Sequence, residues 1–277
     1  MLSENWGVCI LVKYIEIEEI DVTHEFVKKH ITFVLGDTKV YEEFYNDFQQ
    51  YFFRSVLTEK PYESLMLFLN GHTIKNKQYI INNLNRIFKN DQHFKGIVGE
   101  HLFSFYFHKK VRDFLWSHGP KGRSSAEPGI DYITFTGDPS KKNSINVTIW
   151  ETKTTENSVS TRASQIYDFF SENGSFEENI DSEIKAIQEL FQYRPDDNLK
   201  EKVSDLYETI INREFCIGAT GISSNFTSTN DTFKQFGECF KSELTKDQRL
   251  VKLVFIDLLT KILDDLRDRV WNRLQTP

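Results

Sequence analysis

An α/β fold, with a central mixed sheet flanked by helices, is predicted by three features of this 277-residue chain. Two runs rich in β-branched and aromatic residues, 127–136 and 145–153, are separated by Gly137-Asp138-Pro139-Ser140-Lys141-Lys142-Asn143-Ser144, and read as adjacent strands joined by a turn-rich loop. Two later runs, 214–220 and 250–257, are dense in apolar residues, as inner strands covered on both faces are. Around them apolar residues recur at helical spacing, most plainly at Leu259, Ile262, Leu263, Leu266, Val270 and Leu274.

Taken in order, residues 7–14 read as a strand, and 15–22 alternate apolar and acidic residues before a cap near Thr23. Residues 40–57 and 78–88 have helical period, with packing as the default use of their aromatic stripes. A helix over 93–108 carries Phe94, Ile97, Val98, Leu102 and Phe105 on one stripe and Gly96, Gly99, Phe103 and Phe107 on another, beside Glu100. Both glycines cost helix stability, so each points to a close approach by another backbone. Residues 116–126 read as a connector rich in Gly, Ser and basic residues. After the second strand, helices are expected at 161–170, 180–191 and 199–211, and a shorter one at 231–241. No internal repeat appears. The chain is read as one domain, 1–277, in which 1–90 is an addition to a core of 91–277 with helical insertions.

Composition bounds the setting. No apolar run approaches the length of a membrane span, and the N-terminal residues lack the basic start and long apolar segment of a secretory signal, so a cytoplasmic location without membrane contact is expected. Cys9, Cys216 and Cys239 are few, odd in number and far apart, which fits reduced thiols. The formal charge of -7 argues against a protein that coats nucleic acid through charge alone. Locally the balance reverses. Lys109, Lys110, Arg112, Lys121 and Arg123 face only Asp113, with Lys141 and Lys142 following, and this basic excess reads either as a nucleic-acid contact or as a solvated charged surface. The phosphate-loop spacing is absent around 116–126 and 218–221, and His101, His108 and His118 do not form the paired-histidine pattern of zinc proteases.

The chemistry concentrates where the two β runs meet. Side chains alternate along a strand, so Glu151 and Lys153 point one way and Thr152 the other. Antiparallel pairing through the loop brings the start of the first strand beside the end of the second, and Asp131 next to Glu151. Two carboxylates and an amine at one sheet edge suit a divalent cation and a water aimed at phosphorus. The triplet Asp/Glu-x-Lys also occurs at Asp37-Thr38-Lys39 and Glu183-Ile184-Lys185, but only Glu151-Thr152-Lys153 ends an alternating strand with an acid upstream.

Pro128-Gly129-Ile130-Asp131 followed by Glu151-Thr152-Lys153 resembles the PD-(D/E)XK nuclease superfamily. The resemblance implies a restriction-endonuclease-like core that cleaves DNA with Mg2+ (or Mn2+). Asp131, Glu151 and the Thr152 carbonyl would hold the metal, and Lys153 would position water and offset charge. It also implies that a glutamate on the preceding helix faces the site, which is where Gly99-Glu100 falls; the residues alone leave Glu100 either a carboxylate held near a site or a helix-surface or ion-pair residue. The helix after the catalytic strand, carrying Arg162, Gln165 and Tyr167, would flank the substrate. The order of features, through the late strand ending Phe255-Ile256-Asp257, is similar to the HamA nuclease subunits of the bacterial Hachiman anti-phage defence system. That likeness implies a HamB-like helicase partner. Two alternatives stay open: a stand-alone restriction or repair endonuclease, and a non-catalytic interaction subunit on a nuclease-like fold.

Overall fold

The computed structural model describes residues 16–18, 32–34, 38–75, 77–110, 114–118, 130–138, 140–141, 144–171, 180, 184–185, 187–189, 197–225 and 232–276. A short antiparallel pair, β1 (Glu16–Glu18) and β2 (Thr32–Val34), forms its own two-stranded sheet. The main sheet joins β3 (Phe114–His118), β4 (Tyr132–Thr136), β5 (Asn146–Thr155), β6 (Cys216–Ser223) and β7 (Arg249–Phe255) in that order. Strands β3, β4 and β5 run antiparallel, which short connections allow. Strands β5, β6 and β7 run parallel, and their connections pass through helices. The sheet is therefore mixed and flanked by helices, an α/β architecture.

Period-2 alternation gives each strand two environments. On one face Tyr132, Trp150, Ile222 and Val254 join a core with helices α1 (Thr38–Val56), α2 (Glu59–Leu69), α3 (Lys77–Phe88) and α4 (Asp91–Lys110). The predicted α4 stripe of Phe94, Ile97, Val98, Leu102 and Phe105 is buried there, as are Leu259, Ile262, Leu263, Leu266, Val270 and Leu274 of the closing helix. On the other face Ile133, Phe135, Ile149, Ile217, Ala219, Val251 and Leu253 meet α5 (Ser160–Phe170) and the helices at Asp197–Ser204 and Leu206–Ile211. The segment over 1–90 thus shares one core with α4 through α1 to α3.

Several expectations change. The connector predicted over 116–126 begins inside β3, where Trp116, Ser117 and His118 pair with Phe135, Thr134 and Ile133. The run Phe114-Leu115-Trp116 has the aromatic bias of a strand, but the glycines and basic residues beyond it dominate a local reading. The helix expected at 231–241 is only Lys234–Glu238, because Cys239 is extended and Phe240 takes φ of 48°. The run 199–211 is two helices broken at Asp205. Helix α2 and strand β2 are present in addition to the elements expected from periodicity. The strand at 7–14, Cys9 and the cap near Thr23 lie outside the described residues. Among the described residues no helix is long and apolar enough to cross a membrane.

Candidate active site

The β4–β5 ladder pairs Thr136 with Asn146 and ends at Tyr132 and Trp150. Continuing that register sets Asp131 across from Glu151. Beyond the last rung the N–H of Thr152 needs an acceptor, and it donates to Asp131 Oδ2 at 2.8 Å. The half-buried Asp131 carboxylate therefore takes the place of a strand carbonyl at the point where β4 stops. Because a strand residue directs N–H and C=O toward the same edge, the Thr152 carbonyl also faces the side where the β4 ladder has ended.

Glu151 is 4% exposed, and Lys153 Nζ donates to its Oε1 in a close ion pair. Burial, and then the neighbouring Asp131 carboxylate, push Glu151 above the ordinary carboxylate range, against the pull of the Lys153 ammonium. For Lys153 burial works against charge, but Glu151, Asp131 and Glu100 outweigh it and hold the ammonium above the usual lysine value. Asp131, Glu151 and Lys153 thus converge as the strand alternation predicts.

Helix α4 reaches this edge because Gly99 has no side chain. A Cβ there would lie 1.5 Å from Thr154 Oγ1 and 2.6 Å from Thr154 Cβ, so any other residue pushes α4 off β5. The close approach expected at Gly99 is present, but it is made by the Thr154 side chain rather than by another backbone. Gly96 differs, since a Cβ there meets nothing within 4 Å. Of the two glycines only Gly99 is needed for contact. Next to Gly99, the half-buried Glu100 acts electrostatically on Lys153.

On the other face, Gly221 of β6 is in register with Lys153, and a Cβ there would meet Val159 Cγ1 at 2.3 Å. The entry to α5 is therefore pressed against the sheet beside the site. Arg162 donates from Nη1 to Gln165 Oε1 at 3.3 Å on the outer part of α5. The β4–β5 loop lies elsewhere. A hairpin turn sits at the opposite end from the start of its first strand, so Lys141, exposed and 3.3 Å from Asp138 Oδ2, is remote from the acids despite its nearness in sequence. Arg112, Lys121, Arg123 and Lys142 lie outside the described residues, and of Lys109 and Lys110 only the backbone, in the last turn of α4, is described.

One supporting group was not anticipated. Glu156, immediately after β5, pairs with Lys95 of α4 and accepts from Thr260 Oγ1 at 2.9 Å. Lys95 also lies 2.9 Å from Asp91 Oδ2, and Asp91 pairs with Arg267. These contacts tie α4, the end of β5 and the closing helix together. Only the i,i+4 spacing of Asp91 and Lys95 is visible in sequence.

Two abutting carboxylates and a strand carbonyl form a hard-oxygen donor set. Among the described residues no group of three or more His, Cys, Asp or Glu side chains is placed to hold a metal. Two carboxylates and a carbonyl fit Mg2+, which keeps several waters and takes one or two carboxylates. The elevated proton affinity of Glu151 beside Asp131 fits as well, since a cation relieves the same repulsion that a proton does. Compared with known proteins, the chain matches no protein-family model and no curated protein.

Proposed function

We propose that the chain is a metal-dependent nuclease that hydrolyses phosphodiester bonds of DNA on a restriction-endonuclease-like core of the PD-(D/E)XK kind. The observation that carries the reading is the abutment of Asp131 and Glu151 at the end of the β4–β5 ladder, with the Lys153 ammonium against Glu151. Asp131, Glu151 and the Thr152 carbonyl are the groups that would hold Mg2+ or Mn2+. When bound, such an ion acts as a Lewis acid on phosphate and makes water a better nucleophile. Lys153 stays charged, orients the attacking water and offsets the negative charge that grows on phosphate oxygens. Glu100 supports that charge from α4. Burial of Glu151 keeps bulk water from screening these interactions.

The same proposal extends to the cellular role, an effector subunit controlled by a HamB-like helicase in anti-phage defence. Two properties support control by a partner. A net charge of -7 gives the chain little unaided hold on DNA, and it carries no phosphate-binding loop, so any ATP dependence comes from a second protein. The test is plasmid and linear DNA cleavage with Mg2+, by the chain alone and with the candidate helicase, with and without ATP. Weak cleavage alone, strong cleavage with helicase and ATP, and loss of both with EDTA are expected. Full, ATP-indifferent cleavage by the isolated chain would remove the partner from the proposal, and cleavage that survives Asp131→Asn would remove the site.

A further inference from the structure

Three hydroxyls connect α1 to β4 through α4. Tyr51 of α1 and Ser104 of α4 share a close hydrogen bond, and Ser104 Oγ lies 2.9 Å from Tyr132 Oη. Either oxygen of each pair can donate. Ser104 and Tyr132 are 0% and 1% exposed, so water does not compete for these bonds. The Tyr132 ring meets Phe103 edge-on at 5.7 Å, and Phe103 in turn packs 5.4 Å from Trp150. Tyr132 follows Asp131 and Trp150 precedes Glu151, so α4 clamps the residue next to each carboxylate.

The backbone at Asp131 makes that clamp consequential. In a regular strand residues 130 and 132 share a face. Here Ile130 is buried in the core on the α5 side and Tyr132 in the core on the α4 side, and the chain bends at Asp131 between them. The direction of the Asp131 carboxylate is therefore set by where its two neighbours are anchored. One anchor is apolar packing, which tolerates sliding. The other is the directional hydroxyl chain.

We infer that Tyr51, Ser104 and Tyr132 form a positioning relay through which helix α1 sets Asp131 against Glu151. Its importance for catalysis rests on the metal-site reading above, but the mechanical link does not. The relay places part of the site's support in the segment before α4, so a load on α1 is felt at the carboxylate pair.

The Thr152 amide, which donates to Asp131, reports the link directly through its hydrogen exchange by NMR. Tyr132→Phe keeps the ring and removes the hydroxyl, Ser104→Ala breaks the centre, and Tyr51→Phe breaks the far end. Each is expected to speed Thr152 exchange, by about fivefold for the first two and less for Tyr51→Phe, while amides of β6 are unchanged. Mg2+ affinity by calorimetry is expected to weaken in the same order. Unchanged Thr152 exchange in Tyr132→Phe and Ser104→Ala overturns the relay. So does exchange that rises equally in β6, because the fold has then loosened as a whole. Absence of any Mg2+ binding that Asp131→Asn abolishes sinks the metal reading instead, and leaves the exchange result to decide the relay.

Discussion

Strand β5 meets two surroundings that solve different problems. Toward α4 it presents Trp150, Thr152 and Thr154, in register with Gly218, Thr220 and Ile222 of β6. Trp150 donates from Nε1 to Thr134 Oγ1 at 2.9 Å, Thr154 abuts Gly99, and no charge is buried in this row of β5. Toward α5 it presents Ile149, Glu151 and Lys153, and here two charged groups sit against an otherwise apolar core. Burying an ion pair costs several kcal/mol of desolvation that its own attraction does not reliably recover. The comparison shows where the stability comes from: the α4 face, with its rings, helices and tight backbone contact, holds the strand in place while the α5 face carries groups whose placement suits chemistry.

The largest effect expected from disturbing the charged face is on activity. Asp131→Ala, Glu151→Ala and Lys153→Ala should each lower DNA cleavage by about 100-fold or more, since each removes a group that acts on the reacting phosphate or its metal. Folding should survive, which circular dichroism and thermal melting check. An alanine variant that cleaves at the wild-type rate, under conditions where EDTA stops the reaction, takes that residue out of the mechanism. Glu100→Ala should cost less, because its electrostatic influence reaches the site through Lys153.

Disturbing the opposite face should act on stability first. Gly99→Ala gains about 1 kcal/mol of helix propensity. Against that, the new Cβ overlaps three atoms of Thr154, including its branch carbon at 2.6 Å, which rotation about χ1 does not relieve. Overpacking of this kind costs about 3 kcal/mol, so a net loss of about 2 kcal/mol is expected in urea denaturation. Pairing the change with Thr154→Gly, which removes the branch carbon as well as the hydroxyl and methyl, should recover part of it, whereas Thr154→Ala leaves the 2.6 Å overlap in place. A single variant as stable as the wild type would mean that α4 can stand off β5 freely, and the division between the two faces would fail.

The charged face also predicts a pH dependence of opposite sign to the usual carboxylate. Because Glu151 is raised in the folded chain from its ordinary 4.5, the native state holds a proton that the unfolded state releases. Stability therefore falls as pH rises from 4.5 to the raised value, and the penalty is fully present above it. Glu151→Gln removes the penalty. Because the variant also leaves the Lys153 ammonium without the counter-charge of Glu151, the test is the trend: without metal, the margin, the melting temperature of the variant minus that of the wild type, should increase as pH rises through this window. Mg2+ should narrow the margin by stabilising only the wild type, more at high pH than at low, because binding displaces the proton. A margin that stays constant with pH would show that Glu151 is ionised in both states.

Most of what was legible in the sequence follows from short-range periodicity. Alternation along 145–153 placed Glu151 and Lys153 together, the turn-rich loop brought Asp131 to them, and the α4 stripe told which face is buried. The parts that were not legible depend on contacts across the fold. Gly96 and Gly99 look alike in sequence, yet only Gly99 lies against β5. Lys141 lies ten residues before Glu151, yet the hairpin carries it to the far end. Glu156 gives no local sign that Lys95 and Thr260 meet it. Strand β3 was hidden because its aromatic run is short and the glycines and basic residues after it dominate a local reading, so that only its pairing with β4 reveals it.

The smallest expected effect tests how completely the α4 face is sealed. Thr220, between Thr152 of β5 and Lys252 of β7, is 0% exposed, and among the described residues its Oγ1 has no hydrogen-bond partner. A buried hydroxyl without a partner loses its hydration and gains nothing in return, a cost of about 1–3 kcal/mol. Thr220→Val keeps the branched shape and removes that cost, so the variant should be more stable by about 1 kcal/mol, with DNA cleavage unchanged because this side chain points away from Glu151 and Lys153. Denaturant titration measures it. A loss of stability of similar size would instead mean that the hydroxyl is satisfied by a buried water, and the α4 face would then be a wet seam rather than a dry one.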